Sequence, residues 1–250
     1  METRTTTPIT TVMVLLEEKL RQQVRQDKPL LVAIDGRCAS GKSTLAKSVS
    51  RALGYLYVDT GAIYRTIGYG AYAKGVNPGD GQAVAALLPE LEIGLTYGED
   101  GLQHMMMNGM DVTKDIRTPD ISQKASLISA HACVRDMLLD MQRELAEQNN
   151  VVMDGRDIGT VVLPHATVKI FLTASPEVRA KRRCDELSAK GQKVDYNKVL
   201  KDIQQRDYQD THREIAPLKM SRDSIKVDTS DMTIEEVLEK LKEIVVQKVG

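Results

Sequence analysis

Residues 36–44 read Gly36-Arg37-Cys38-Ala39-Ser40-Gly41-Lys42-Ser43-Thr44, which fits Gly-x-x-x-x-Gly-Lys-[Ser/Thr]. The glycines let the backbone wrap so that its N–H groups converge on phosphate oxygens. A helix beginning at the end of the motif adds positive potential. Lys42 is suited to neutralise β- and γ-phosphates, and Ser43 to ligate Mg²⁺. Against this stands a plain strand–turn–helix corner, which has no need of the Lys-Ser pair. Alone, the motif specifies a nucleoside triphosphate and no more, because GTPase switches, ATPases and small-molecule kinases share it. A GTPase would usually carry a base-reading Asn-Lys-x-Asp; here Asn197-Lys198 is followed by Val199 and Leu200.

Four further groups of residues have charge and spacing suited to a site. In Asp59-Thr60-Gly61-Ala62-Ile63-Tyr64-Arg65, Thr60 and Tyr64 share a helix face and Arg65 adds a phosphate-binding charge; a helix start with a core Tyr reads equally well. Asp154-Gly155-Arg156-Asp157 follows the apolar Val151-Val152-Met153, placing ionisable groups at a strand's carboxyl end, where parallel sheets bind ligands. Arg179, Arg182 and Arg183 fall on one helical face. Their mutual repulsion calls for a polyanion or carboxylates, unless the face is simply solvated. Arg206, Asp210 and Arg213 form another stripe, readable as an ion-pair ladder or a phosphate clamp. The four histidines have no metal-ligand spacing and read as structural or exposed.

These groups need strands that end in loops and helices that begin there. Leu30 to Ile34 is a continuous apolar run, suited to a strand buried on both faces. Tyr55–Val58, Val151–Met153, Val168–Leu172 and Ile225–Val227 read as further strands. Helical sequence covers 43–53, 64–73, two stretches between Pro119 and Gln148, and a charged region 176–214. Strands alternating with helices imply a parallel, doubly wound α/β sheet. Residues 91–112 break the pattern: alternation with Gly and Asn-Gly turn signals predicts a small antiparallel meander. Ser175 before Pro176 is a helix start, and Thr233 with Glu236 predicts a capping box. Residues 12–26 have the apolar spacing of an amphipathic helix.

The bulk properties exclude several classes. A chain of 250 residues with 42% hydrophobic and 28% charged residues builds an ordinary core. A net charge of −1 provides no global attraction to nucleic acid or to a membrane surface. Three scattered cysteines exclude a zinc ribbon or disulfide framework. No apolar run approaches spanning length, so a cytoplasmic location is expected.

Together the segments resemble the bacterial cytidylate kinase family of P-loop nucleoside monophosphate kinases. The resemblance rests on Ala33-Ile34-Asp35-Gly36 through Thr44, Asp59–Arg65, Asp154-Gly155-Arg156-Asp157-Ile158-Gly159-Thr160, Lys169-Ile170-Phe171-Leu172, and Arg206-Asp207 through Arg213-Glu214-Ile215-Ala216-Pro217-Leu218. It spans roughly residues 30–246, and Asp-Gly-Arg-Asp-Ile-Gly-Thr is its most specific part. It implies a P-loop NTPase sheet with helices on both faces, within a kinase domain 30–250. A monophosphate-binding insert at about 80–130 and a helical lid at about 176–195 belong to that domain, and an extension 1–29 precedes it.

The activity implied is transfer of the ATP γ-phosphoryl group, with Mg²⁺, to CMP or dCMP by a monomer. By the same resemblance Thr60, Tyr64 and Arg65 line the monophosphate pocket. Ser126, Arg135 and Asp157 read cytosine, while Arg156, Arg206, Asp210 and Arg213 hold the CMP phosphate and sugar. Asp154 supports the metal, and Arg182 and Arg183 reach the transferred group. The chain departs from the family at Arg37-Cys38-Ala39-Ser40, where Pro and small residues are common. That wording is similar to uridine-kinase-like proteins, so a nucleoside kinase is one rival and a non-catalytic nucleotide-binding protein another.

Overall fold

The computed structural model describes residues 29–98 and 101–249; the amphipathic stretch 12–26 lies outside the described residues. Strand β1 (Leu31–Gly36) is the middle of a parallel five-stranded sheet, ordered β2-β6-β1-β7-β8, with β2 at Leu56–Asp59, β6 at Val151–Gly155, β7 at Val168–Thr173 and β8 at Ile225–Asp228. Its position explains its composition: a strand flanked on both edges and covered on both faces has no use for alternating polarity.

Helices α1 (Lys42–Leu53) and α8 (Ile234–Val249) cover one face, over a core that includes Val32, Ile34, Leu45, Val49, Ile170 and Leu241. The opposite face carries α2 (Thr60–Ala73), α3 (Gly81–Leu87), α4 (Pro119–Ile128) and α5 (Ala132–Gln148), over Ala33, Val58, Ile63, Ile67, Leu138 and Met153. The fold is thus the doubly wound α/β sheet that the alternation predicts.

The predicted meander is a three-stranded antiparallel sheet of β3 (Ile93–Tyr97), β4 (Gln103–Met107) and β5 (Met110–Asp111). Buried Met105 and Met107 of β4 join the core beneath α2. Two insert side chains also reach strand β2. The Tyr97 hydroxyl donates to the Tyr57 carbonyl at 2.8 Å. The Gln103 amide accepts from the Asp59 N–H at 2.7 Å and donates to the Asp59 carbonyl at 3.2 Å.

The charged region 176–214 is not one helix. It divides into α6 (Pro176–Ala189) and α7 (Tyr196–His212), because Gly191 takes a left-handed φ of 75° that ends the first helix. The two helices pack on the loop after β1 through Ala180, Ile203 and Cys38. Ser175 caps α6 by accepting from the Val178 N–H. Thr233 and Glu236 form the reciprocal capping box, at 2.8 and 3.2 Å. The sequence gives no signal for the π-helical turn Ile158–Val162 after β6. Among the described residues no helix is long and apolar enough to cross a membrane.

Candidate active site

The loop 36–43 leaves β1 in a conformation that few residues tolerate. A side chain at Gly36 would bring Cβ to 2.4 Å from the Leu172 carbonyl oxygen of β7, so close approach demands glycine. Ala39 and Gly41 adopt left-handed φ values of 54° and 83°. These values turn the chain into the N-terminus of α1, which has no side-chain cap. The first N–H groups of α1 therefore face the loop's concavity, as anion binding requires. Lys42 is buried and makes one long hydrogen bond, 3.5 Å, to the Arg37 carbonyl. Burial, and then the charge of Arg156, push its pKa down to about 8. Arg37 itself pairs with Asp207 of α7 at 3.1 Å. Ser40 is buried with an unpartnered hydroxyl, and Thr44 is exposed.

Asp154, at the end of β6, is held on every side. Ser43 donates to one carboxylate oxygen at 2.7 Å, and the Tyr57 hydroxyl donates to the other at 2.9 Å. The Thr60 hydroxyl bonds the Asp154 carbonyl at 2.8 Å. Burial and the neighbouring Asp59 raise the Asp154 pKa. Tyr57 is shifted upward too, by burial and by Asp154. Asp59 caps α2 through the Ala62 N–H and pairs with Arg65 at 2.9 Å; burial opposes its ionisation, but Arg65 holds it below the usual carboxylate range. The Ser43–Asp154 pair offers only oxygen donors, a set suited to a hard divalent cation that keeps waters and phosphate oxygens.

Cations collect near Lys42, which feels the charges of both Arg156 and Arg206. Arg156 donates to Asp210 at 2.7 Å. Arg206 is within electrostatic reach of Arg156, Arg65 and Asp210, and burial followed by Arg156 lowers its pKa. The Nε atoms of Arg65 and Arg206 are both buried without a hydrogen-bond partner. Buried donors of this kind are costly unless something else occupies the site.

Beside them lies a second group. Asp157 accepts from Arg135 and, at 3.5 Å, from Arg213. Arg135 also donates to the Ser129 carbonyl at 3.2 Å, and Arg213 to the Ser129 hydroxyl at 3.4 Å. The Tyr64 ring lies under the Arg135 guanidinium at 5.6 Å. Thr60, Tyr64, Arg65, Arg135, Arg156, Asp157, Arg206, Asp210 and Arg213 are thus brought together. Ser126 stands nearby on α4, tied to this group through its carbonyl, which accepts from Ser129.

Arg182 and Arg183 are not brought to this cleft. Arg179 of the same face is fully buried, gripping Asp207 through both guanidinium nitrogens and the Cys38 carbonyl at 3.1 Å. Arg182 donates to the Thr229 hydroxyl and carbonyl at 3.0 and 2.6 Å, and Arg183 pairs with Glu186 at 2.8 Å. Each arginine finds its own acceptor, so the expected repulsion is relieved without a polyanion. To reach a transferred group, Arg182 and Arg183 would have to leave these partners.

Sequence reasoning gave no site role to Tyr57, Ser129, Asp207 or Asp35. Asp35 is buried at the end of β1, its oxygens accepting from the N–H groups of Ile158 and Gly159 at 2.7 Å each. Burial pushes its pKa up to about 7 despite those bonds. Among the described residues no cluster of three or more His, Cys, Asp or Glu side chains is placed to hold a metal.

Comparison with known proteins gives this geometry a context. The family model described as "Cytidylate kinase" matches residues 32–247. The cytidylate kinase of Bacillus licheniformis is 49% identical over 222 residues, covering 89% of this chain and 98% of that protein. The Bacillus subtilis cytidylate kinase is 46% identical, covering 89% and 99%. That of Lactobacillus johnsonii is 48% identical, covering 87% and 94%.

Proposed function

The chain belongs to the cytidylate kinase family, and we propose that it transfers the γ-phosphoryl group of ATP to CMP or dCMP, giving ADP and CDP or dCDP. The observation that carries this reading is the pair of buried, unpartnered Nε donors on Arg65 and Arg206, the latter near enough to Lys42 to help lower its pKa. An acceptor that already bears a phosphate supplies what those donors lack; a nucleoside does not.

In this reading the loop 36–44 cradles the ATP phosphates, with Lys42 against the β- and γ-groups. Ser43 and Asp154 would hold Mg²⁺, which when bound neutralises phosphoryl oxygens. The Tyr57 hydroxyl fixes the Asp154 carboxylate. Arg65, Arg156, Arg206 and Arg213 hold the acceptor phosphate in line, and Asp210 holds Arg156. The acceptor oxygen is already anionic, so no strong general base is needed and no covalent enzyme intermediate forms. Catalysis is positioning plus charge complementarity.

Base choice falls to Asp157, Arg135 and Ser126. Cytosine offers an exocyclic amine donor with N3 and O2 acceptors, which suits a carboxylate beside an arginine and a hydroxyl. Uracil presents a carbonyl where cytosine has the amine, and the carboxylate repels it.

A substrate panel tests the reading. With ATP and Mg²⁺, the expected order of activity is CMP and dCMP first, UMP well behind, and cytidine and uridine inactive. Transfer confined to nucleosides would overturn it; binding of ATP and CMP without turnover would favour a non-catalytic role.

The depressed pKa of Lys42 gives a second expected result. With its pKa lowered to about 8 by burial and Arg156, Lys42 is partly neutral in the free enzyme at mildly alkaline pH. Bound phosphates restore its charge, while the ATP γ-phosphate is already fully ionised at that pH. ATP binding at that pH therefore takes up protons. Titration calorimetry in two buffers of different ionisation enthalpy measures this uptake. Lys42→Arg abolishes it; equal heats in both buffers for the native protein would contradict the assignment.

A further inference from the structure

We propose that Asp35 is a positioning residue that caps the turn after β6 from a neighbouring strand, and so frees the Asp157 carboxylate to face the acceptor site. This inference rests on the acceptor reading above.

The chain leaves β6 at Gly155, passes Arg156 and Asp157, and enters the π-helical turn Ile158–Val162. Any helical turn begins with N–H groups that have no partner within it, and the residue before it normally provides one. Asp157 occupies that position, and aspartate is among the best residues for it. Yet its side chain makes no capping bond. Its oxygens accept instead from Arg135 and Arg213.

The capping bonds come from Asp35, which lies more than a hundred residues earlier in the chain. Its two oxygens take the Ile158 and Gly159 N–H groups at 2.7 Å each. The approach is tight: a Cβ at residue 159 would stand 3.2 Å from the Asp35 carboxylate and 3.2 Å from the Lys169 side chain, so one of them would have to give way. Asp35 also directly precedes Gly36, the first residue of the phosphate loop, and its Cα pairs in register with that of Gly155. One carboxylate thus ties the start of the donor loop to the loop that presents Arg156 and Asp157.

Without the distal cap, the nearest carboxylate for the exposed N–H groups is that of Asp157. Asp157 turning back onto its own helix would abandon Arg135 and Arg213. Asp35→Asn forces this choice, because an amide has one acceptor oxygen and presents an N–H₂ group to the second N–H.

The expected result for Asp35→Asn is a loss on the order of tenfold or more in kcat/KM for CMP. The preference for CMP over UMP falls with it, while KM for ATP stays within about twofold. A residue that merely supports the fold would weaken ATP and CMP together and leave the preference intact; that outcome overturns the proposal. The double variant with Asp157→Asn sharpens the test. If Asp35 acts through Asp157, the double variant shows no lower preference than Asp157→Asn alone, and losses that multiply would overturn the proposal as well.

Should thermal melting show Asp35→Asn unfolded, Gly159→Ala crowds the same contact from the other side. It is expected to lower the preference in a folded protein, and full preference there would also be decisive against the idea. Native protein that fails to phosphorylate CMP removes the acceptor reading itself. Native protein that prefers CMP, with an Asp35→Asn variant that does so equally, removes only the role of Asp35.

Discussion

Replacing Lys42 with alanine is expected to lower kcat by on the order of a thousandfold or more while leaving a folded protein. Both halves follow from where Lys42 sits. Its ammonium follows the last glycine of the loop, and the hydrogen bond it makes, to the Arg37 carbonyl, is long at 3.5 Å. The surroundings disfavour its charge, since burial and Arg156 bring its pKa from 10.5 down to about 8. A lysine with a depressed folded-state pKa makes the native state less stable below that pKa and regains stability as pH rises from about 8 towards 10.5. Removing it therefore relieves a cost at neutral pH. The melting temperature of Lys42→Ala without nucleotide should match or exceed that of the native protein. A fully active variant would remove the loop from the catalytic assignment; an unfolded one would contradict the electrostatic argument.

The second large effect is expected at Asp157. Asp157→Asn keeps the shape of the side chain and an oxygen for Arg135, but exchanges a charged acceptor for a group that also donates. Preference for CMP over UMP should fall by on the order of a hundredfold, mostly through poorer use of CMP. Asparagine is the informative replacement. Alanine would leave Arg135 and Arg213 buried beside each other without the carboxylate they share and confuse loss of fold with loss of recognition. Steady-state rates on the two acceptors at fixed ATP decide the matter. An unchanged ratio would take base reading away from this residue.

What could be read in the sequence was what lies contiguous in it. The strand–loop–helix at 31–53, the Asp-Gly-Arg-Asp turn after β6 and the antiparallel insert each announce themselves within one short contiguous stretch. The supports of the site are of another kind. Ser43 and Tyr57 meet Asp154 across separations of 111 and 97 residues, and Asp35 meets Ile158 across 123. A buried tyrosine on a strand reads as core until its hydroxyl has a partner. The arginines of α6 mislead for a related reason: helical spacing shows that Arg179, Arg182 and Arg183 share a face, but not that Asp207, Thr229 and Glu186 wait for them separately. The break at Gly191 was present in the sequence as a glycine, yet the surrounding polar residues gave no hydrophobic period to interrupt.

The contacts that Tyr97 and Gln103 make with Tyr57 and Asp59 have a consequence beyond fastening the insert. Strand β2 is the outermost of its sheet, bonded to β6 through residues such as Leu56, whose N–H donates to the Asn150 carbonyl. Tyr57 and Asp59, alternating with Leu56, turn their peptide groups the other way, outward, where a foreign strand could pair with them. Two side chains from the insert occupy those positions and imitate a sixth strand of this sheet without forming one. The small sheet thereby shields this edge, and without it the outward peptide groups of Tyr57 and Asp59 would be open to pairing with another chain.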